Sequence, residues 1–367
     1  MREPGDVRRQ RILAVVESRG AVKVTELAAE LEVSVVTARR DVEELARAGR
    51  LRRGHGVARP VTAALEPAVA PSAGPERQGG PVALVVPERH TYLYEAMDGA
   101  RAVLEAAGTR VALHITPQAP GTERPIVERA LADGARGLLI APRWRTAAAE
   151  DSDADWLSRT EVPTVVMERR PRPGSPLHAV DSVCSDHWYG MWLAVEHLTA
   201  LGHRRIVLAA RDDSPTARAL RAAFAGIVAA RPGIEDSVVV LSAKDAGADS
   251  AEAVPRSLAA LLRERGATGA VLHGDVDALM LVQQLNDSGV RVPEDCSVVA
   301  YDDVVAALGS TPLTAVSPPK SEVGRVAAAL LLERLAQPAG PGAGRPRRVE
   351  LLPELKVRGS TRAVATV

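Results

Sequence analysis

Cysteine is almost absent: Cys184 and Cys296 are the only two in 367 residues, with no CxxC pair and no histidine cluster beside either. That excludes a disulfide framework, gives no zinc site and suits a reducing cytoplasm. No stretch approaches the ~18 uncharged apolar residues of a membrane span. The first twenty residues scatter charge through what an export signal would keep apolar, so a secreted or membrane-bound chain is not expected. Net charge is lacking too, with 46 basic residues against 46 acidic ones. GxGxxG, GxxxxGK and GxSxG do not occur, which removes the common phosphate-cradling loops and the nucleophile elbow. No enzyme, cofactor or metal is expected.

What is present is unevenly distributed. Residues 1–60 carry 13 Lys and Arg against nine Asp and Glu, so the N-terminus is positive by four and favours a polyanion partner. Ile12, Val15 and Val16 recur at helical spacing and predict a first helix over about 8–19, ending at Gly20. Thr25 is placed to cap a second helix with Leu27, Ala28 and Leu31 on one face. Ser34 is placed to cap a third, whose stripe of Ala38, Val42 and Leu45 runs to Gly49. Gly54 and Gly56 around His55 predict a hairpin or wing. From 60 to 80 the composition shifts to Ala, Pro and Gly, which reads as a linker.

Beyond it, apolar runs at 82–87, 110–115, 136–142 and 162–167 alternate with amphipathic segments. A second series follows at 205–210, 237–242, 268–274 and 296–303, with helical patterns at 187–201, 216–230 and 250–265. The fold class expected is α/β: a mainly helical N-terminal domain over 1–59, then two doubly wound parallel sheets over 81–367 that face each other across a cleft.

Residues 25–46 have the layout of a helix-turn-helix, in which the second helix offers its first residues to base edges. Ser34, Val35, Val36, Thr37, Arg39 and Arg40 start that helix, and the last five lie off its apolar stripe. Arg can pair with guanine or clamp a phosphate, and Val and Thr methyls suit the thymine methyl. Arg52, Arg53 and His55 on the wing would meet adjacent phosphates or the minor groove. The bland alternative makes Arg39 and Arg40 a solvated face paired with Glu43 and Glu44. The run RRQRILAVVESRGAVKVTELAAELEVSVVTARRDVEELARAGRLRRGHGVA resembles the N-terminal winged helix-turn-helix of DeoR-type repressors, with Ala38 where that family often has a bulkier residue.

The remaining 280 or so residues resemble a different group, the periplasmic-binding-protein-like domain of LacI/GalR repressors. AVEHLTALGHRRIVLAA (194–210), HGDVDALMLVQQLNDSGVRVPEDCSVVAYDDV (273–304) and PLTAVSPPKSEVGRVAAALLLERL (312–335) carry the resemblance. It implies lobe 1 over about 81–185 and 319–338 and lobe 2 over about 186–318 and 346–362. It also implies effector contacts at Asp275, Arg218 and Ser214, with Glu88, His90 and Tyr92 lining the first-lobe side and Arg143 and Trp144 at the rim. Against these stand a helix N-cap for Asp275, a surface ion pair for Arg218, and core positions for Tyr92 and Trp144. Gly274, Ala246 and Pro318 replace residues common in that family, which implies an altered pocket. Trp188, Tyr189 and Trp192 cluster within five residues and either pack or stack on a ligand.

The combined expectation is a cytoplasmic, nucleoid-associated DNA-binding repressor. Its expected partners are a double-stranded operator (palindromic or direct repeat), a small-molecule effector such as a sugar, and a second copy of the chain as homodimer. The alternatives are a solute-binding protein without regulation and, least favoured, an enzyme using the cleft.

Overall fold

The computed structural model describes residues 12, 15–16, 22–31, 33–47, 51–54, 57–60, 79–88, 91–117, 119–211, 214–241, 257–337 and 344–364. Contacts divide the chain into two units, Met1–Glu76 and Arg77–Val367. Most of the expected linker, 61–78, lies outside the described residues, as does most of the expected first helix.

In the first unit, the helices Val24–Glu30 and Val35–Arg47 meet strands β1 (Val22–Lys23), β2 (Leu51–Gly54) and β3 (Val57–Pro60). The strands form an antiparallel sheet in the order β1-β3-β2, with Arg53 opposite Ala58 and Gly54 opposite Val57. The wing is therefore a hairpin, as its glycines predict. Ile12, Val16, Leu27, Leu31, Ala38, Val42, Leu45 and Leu51 close one small core. This is the 3.6-residue stripe read from the sequence, completed by the wing's Leu51. The second helix begins at Val24, so Thr25 sits inside it rather than ahead of it.

The second unit has two lobes. The first is built on β4 (Val82–Pro87), β5 (Val111–Thr116), β6 (Gly137–Ile140), β7 (Thr164–Met167) and β8 (Asp181–Ser185). The chain then crosses to the second lobe, with β9 (Arg205–Ala210), β10 (Asp236–Leu241), β11 (Gly269–His273), β12 (Ser297–Tyr301) and β13 (Thr314–Ser317). It returns through the helix Lys320–Ala336 to β14 (Arg348–Leu351) on the first sheet, and ends with β15 (Glu354–Lys356) on the second. Sheet order is β14-β8-β7-β6-β4-β5 in one lobe and β10-β9-β11-β12-β13-β15 in the other. Every pairing is parallel except β13 with β15.

β4 is buried at all six positions, as a parallel strand covered on both faces must be. One core of the first lobe gathers Leu84, Leu104 and Leu331 on one face of its sheet, and a second gathers Val85, Ile140 and Leu157 on the other. The expected apportionment of 346–362 to the second lobe needs correction. Arg348–Leu351 pairs in parallel with β8, Val349 opposite Val183, because the return helix delivers the chain to that edge of the first sheet. The return helix lies against Thr91–Ala106 so closely that a Cβ on Gly324 would come 1.8 Å from the Ala96 carbonyl oxygen, and one on Gly99 2.1 Å from that of Ser321. Only glycine permits this approach.

Candidate functional site

On the helix Val35–Arg47 the Ser34 hydroxyl accepts the Thr37 N–H at 3.1 Å and lies 2.8 Å from the Thr37 hydroxyl. Ser34 is thus the cap that the sequence predicts, and the cap fixes where the helix begins. Ala38, Asp41, Val42 and Leu45 are buried, while Val35, Arg39 and Arg40 are exposed and Thr37 is half-buried. The start of the helix therefore presents two guanidinium groups and apolar methyls outward. Val36 lies on the same helix and Arg52 and Arg53 on β2, but their side chains are outside the described residues, as is all of His55.

In the second unit the carboxyl ends of the strands converge on an interlobe cleft, where ligands of doubly wound sheets collect. Three non-glycine residues have positive φ among the described residues, and each follows a strand that ends there: Trp144 (33°), Glu168 (51°) and Asp302 (78°). Strain of this kind persists where the surroundings over-determine it, commonly at functional sites. Tyr92 donates to Glu168 Oε1 at 3.0 Å, and Ser185 donates to the same oxygen at 2.8 Å. The other oxygen, Oε2, is buried with no hydrogen-bond partner among the described residues, as is Oδ1 of Asp302. Burial raises both carboxyls: Glu168 upward, and Asp302 from the ordinary 3.8 to about 7, although the Lys320 ammonium pulls the latter back. Lys320 is itself buried, with Nζ 5.4 Å from the centre of the Tyr92 ring and 3.6 Å from Glu95. His187 lies 3.0 Å from the Tyr301 hydroxyl through Nδ1, and burial drives its imidazole down to about 3, so it stays neutral.

Beside this cluster is a cavity of about 410 Å³ between the lobes, bounded by Trp144, Glu168, Ser185, His187, Trp188 and Arg218 among others. Its volume lies in the range of small-molecule sites. Arg218 reaches across the cleft and donates to the carbonyl oxygens of Trp144 at 2.7 Å and Arg145 at 2.6 Å. Burial lowers its basicity, and the Glu150 carboxylate opposes that shift.

The structure brings together Tyr92, Trp144 and Arg218 of the residues expected from sequence, and gives others a different setting. Trp144 is only 2% exposed, with its indole N–H held by Asp153 at 3.0 Å, so most of the ring belongs to the first-lobe core. The Arg143 backbone N–H meets Glu123 at 3.2 Å. Ser214 caps the helix Pro215–Ala229, its hydroxyl accepting the Ala217 N–H at 3.0 Å. His90 and Ala246 lie outside the described residues. Asp275 is 3% exposed and is the first residue of its helix, while Gly274 occupies the cap position. Its Oδ2 accepts the backbone N–H groups of Val304, Val305 and Ala306, the last at 3.0 Å. That oxygen thus holds the loop that follows Asp302.

Sequence reasoning passed over Glu168, Ser185 and His187, and it took Asp302, with its neighbour Asp303, for a capping residue rather than an effector contact. Asp302 had a usable signal: it follows a fully buried strand at its carboxyl end. Asp303, beside it, turns away to Lys356 at 3.1 Å and Arg358 at 2.9 Å.

Comparison with known proteins places these features. Residues 8–63 match the DeoR-like helix-turn-helix domain, and residues 195–361 match the periplasmic binding protein-like domain. The transcriptional repressor PurR of Haemophilus influenzae is 32% identical over 211 residues, covering 56% of this chain and 60% of that repressor. The chain therefore spans less than two thirds of that relative's length. A helix-turn-helix-type transcriptional regulator in the aml 5' region of Streptomyces limosus is 31% identical over 307 residues, 78% of this chain and 80% of that protein. Among solved structures, the lac repressor dimer bound to operator and the anti-inducer ONPF superposes with a TM-score of 0.64 at 22% identity, covering 78% of this chain and 96% of that one. The chain belongs to the helix-turn-helix-type transcriptional regulators, with a DeoR-like helix-turn-helix domain at its N-terminus and a periplasmic binding protein-like domain behind it.

Proposed function

We propose that this protein is a sequence-specific DNA-binding repressor whose operator affinity is set by a small polyhydroxylated effector, such as a sugar, held between the two lobes. The observation that carries the reading is the pair of buried carboxylate oxygens, Glu168 Oε2 and Asp302 Oδ1, without partners among the described residues at the cleft of a chain that also bears an outward-facing Arg39 and Arg40. A carboxylate oxygen in that position accepts hydroxyl or N–H donors and costs free energy until it does. Tyr92, Arg143, Trp144, Ser214, Arg218 and Asp275 support the site around it, and His90 belongs to the same proposed wall. Ser34, Val35, Val36, Thr37, Arg39 and Arg40 form the proposed reading surface, with Arg52, Arg53 and His55 on phosphates.

Effector binding changes the balance between lobe arrangements, and linkage carries that change to the operator. A homodimer is part of the proposal. Edge strand β5 exposes Leu113 and Ile115, and edge strand β10 exposes Val239 and Leu241, so each lobe offers an apolar edge. Two readers on one dimer suit half-sites about 34–36 Å apart. Catalysis has no part in this reading, which places the protein on DNA in the cytoplasm.

The test is selection of binding sequences from a random double-stranded DNA pool by the wild-type chain and by Arg39→Ala/Arg40→Ala. Wild type should enrich one repeated motif, and the variant, folded by circular dichroism, should enrich none. Enrichment of the same motif by the variant would refute the placement of the reading helix.

A further inference from the structure

The contact that Arg218 makes across the cleft joins two rigidly built parts. On the first lobe, Trp144 stands at φ 33° just beyond β6, with its indole N–H held by Asp153 at 3.0 Å. Two residues on, the Thr146 hydroxyl accepts the Ala149 N–H at 3.1 Å and starts the helix Ala147–Ser158. The carbonyl groups of Trp144 and Arg145 are thus pinned from both sides. On the second lobe, Ser214 caps the helix Pro215–Ala229 and Pro215 opens it, so Arg218 is carried at the end of a well-fixed first turn.

Arg218 Nη1 donates to both carbonyl oxygens, at 2.7 and 2.6 Å. These are the lengths of charge-assisted bonds, and both run from one lobe to the other. Between the two helices lies the 410 Å³ cavity, lined by Ala147 and Glu150 from one and by Thr216 and Ala219 from the other. An ordinary surface ion pair would set this guanidinium against a carboxylate of its own helix. Here its acceptors are two neutral backbone oxygens on the opposite lobe. The helix dipole disfavours a cation near an amino end, and burial lowers the basicity of the group, with the Glu150 carboxylate as compensation. The contact is therefore made against part of its electrostatic surroundings, which leaves it easy to give up.

We propose that Arg218 is a latch between the lobes: its hold on the Trp144 and Arg145 carbonyl oxygens keeps the cleft narrow, and the lobes part only when that hold is released. The inference goes beyond the effector reading and stands without it. Where that reading holds, the latch supplies its mechanics. Arg218 also lines the cavity, so a ligand acceptor that draws the guanidinium off the two carbonyls frees the lobes to separate.

The test is the distance between spin labels on the two helices, measured by double electron-electron resonance on the full chain. Dilution with excess unlabelled chain keeps each labelled pair within one molecule. Asp155→Cys and Ala229→Cys put the labels at exposed positions, one on each helix, and the native Cys184 and Cys296 are buried. Arg218→Met keeps the apolar stem and removes the donors, so the mean distance should lengthen by more than about 2 Å, with a broader distribution. Arg218→Lys keeps the charge on a shorter side chain and should fall between the two. Arg145→Ala leaves its backbone carbonyl in place and should keep the wild-type distance. A wild-type distance in Arg218→Met overturns the proposal, as does one in Arg218→Lys if circular dichroism shows the methionine variant unfolded. Equal lengthening in Arg145→Ala also overturns it, because the effect would then belong to the loop rather than to the bond. None of these outcomes bears on the effector reading, since no ligand enters the measurement.

Discussion

Replacing Asp302 by asparagine should make the protein more stable, and only above acidic pH. The side chain stands at φ 78°, a backbone region in which aspartate and asparagine are both tolerated, so the exchange leaves the backbone preference almost unchanged. Its carboxyl rises from 3.8 to about 7, chiefly by burial, with the Lys320 ammonium opposing and Asp275 and Glu168 adding to the rise. The folded-state value thus exceeds the unfolded one. Between about pH 4 and pH 7 the unfolded chain has released this proton while the folded chain still holds it, so wild-type stability falls as pH rises through that window and levels off above it. Each unit corresponds to about 1.4 kcal/mol, which puts the full penalty near 4 kcal/mol as an upper bound; relaxation and water access reduce it to about 2–4 kcal/mol.

Asparagine carries no such penalty. Its advantage over wild type should grow by about 2–3 kcal/mol between pH 5 and pH 8, a window covering most of that titration. Urea unfolding followed by tryptophan fluorescence measures this directly, because all four tryptophans, at 144, 156, 188 and 192, lie in the two-lobed unit. Taking the difference between variant and wild type at each pH cancels the other titrating groups. An advantage equal at pH 5 and pH 8, or a variant less stable than wild type at pH 8, would show that Asp302 is not a strained, charge-penalised group. Its reading as a carboxylate awaiting a donor would then fail.

Three further outcomes follow from the packing. Asp275→Ala leaves the amides of Val304, Val305 and Ala306 without their shared acceptor and should cost about 3 kcal/mol in urea titrations without any sugar present; a neutral result would mean the loop finds other partners. Gly324→Ala sets a methyl 1.8 Å from the Ala96 carbonyl oxygen, an overlap relieved only by separating two helices, so the loss should exceed the ~1–3 kcal/mol usual for overpacking and be visible as reduced soluble yield. Ser34→Ala removes a helix cap and should lower the stability of the first unit by about 1 kcal/mol in circular dichroism melts, with the tryptophan-detected transition of the second unit unmoved.

Much of this architecture is legible in the sequence because periodicity reports burial. The runs at 82–87 and 205–210 are strands to the residue, since a parallel strand covered on both faces is apolar throughout. β8 gave no such signal: Asp181, Ser182 and Ser185 are polar, and their burial depends on partners such as Arg334, which is 153 residues away and grips Asp181 at 2.6 and 2.9 Å. β1 is two residues long and exists only because the wing lies beside it, so no local pattern marks it. The reading helix was legible in its cap and stripe. The cleft was less so: Arg218 and Tyr92 followed from motif position, whereas the state of Glu168 and Asp302 arises from desolvation by distant segments, which no spacing in the sequence expresses.

The return of the chain to its first sheet also sets an order of assembly during synthesis. Strands β4 to β8 emerge from the ribosome early, yet the helix Lys320–Ala336, which supplies Val323, Ala327 and Leu331 to one face of that sheet, and the edge strand β14 arrive only after the whole of the sheet built on β9 to β13. At about 5–20 residues per second, the apolar face carrying Leu84, Leu139 and Met167 stands without its covering helix for on the order of ten seconds. The lobe begun first is thus covered only after most of the other has been made, and that interval is when a chaperone or a second nascent chain can reach it.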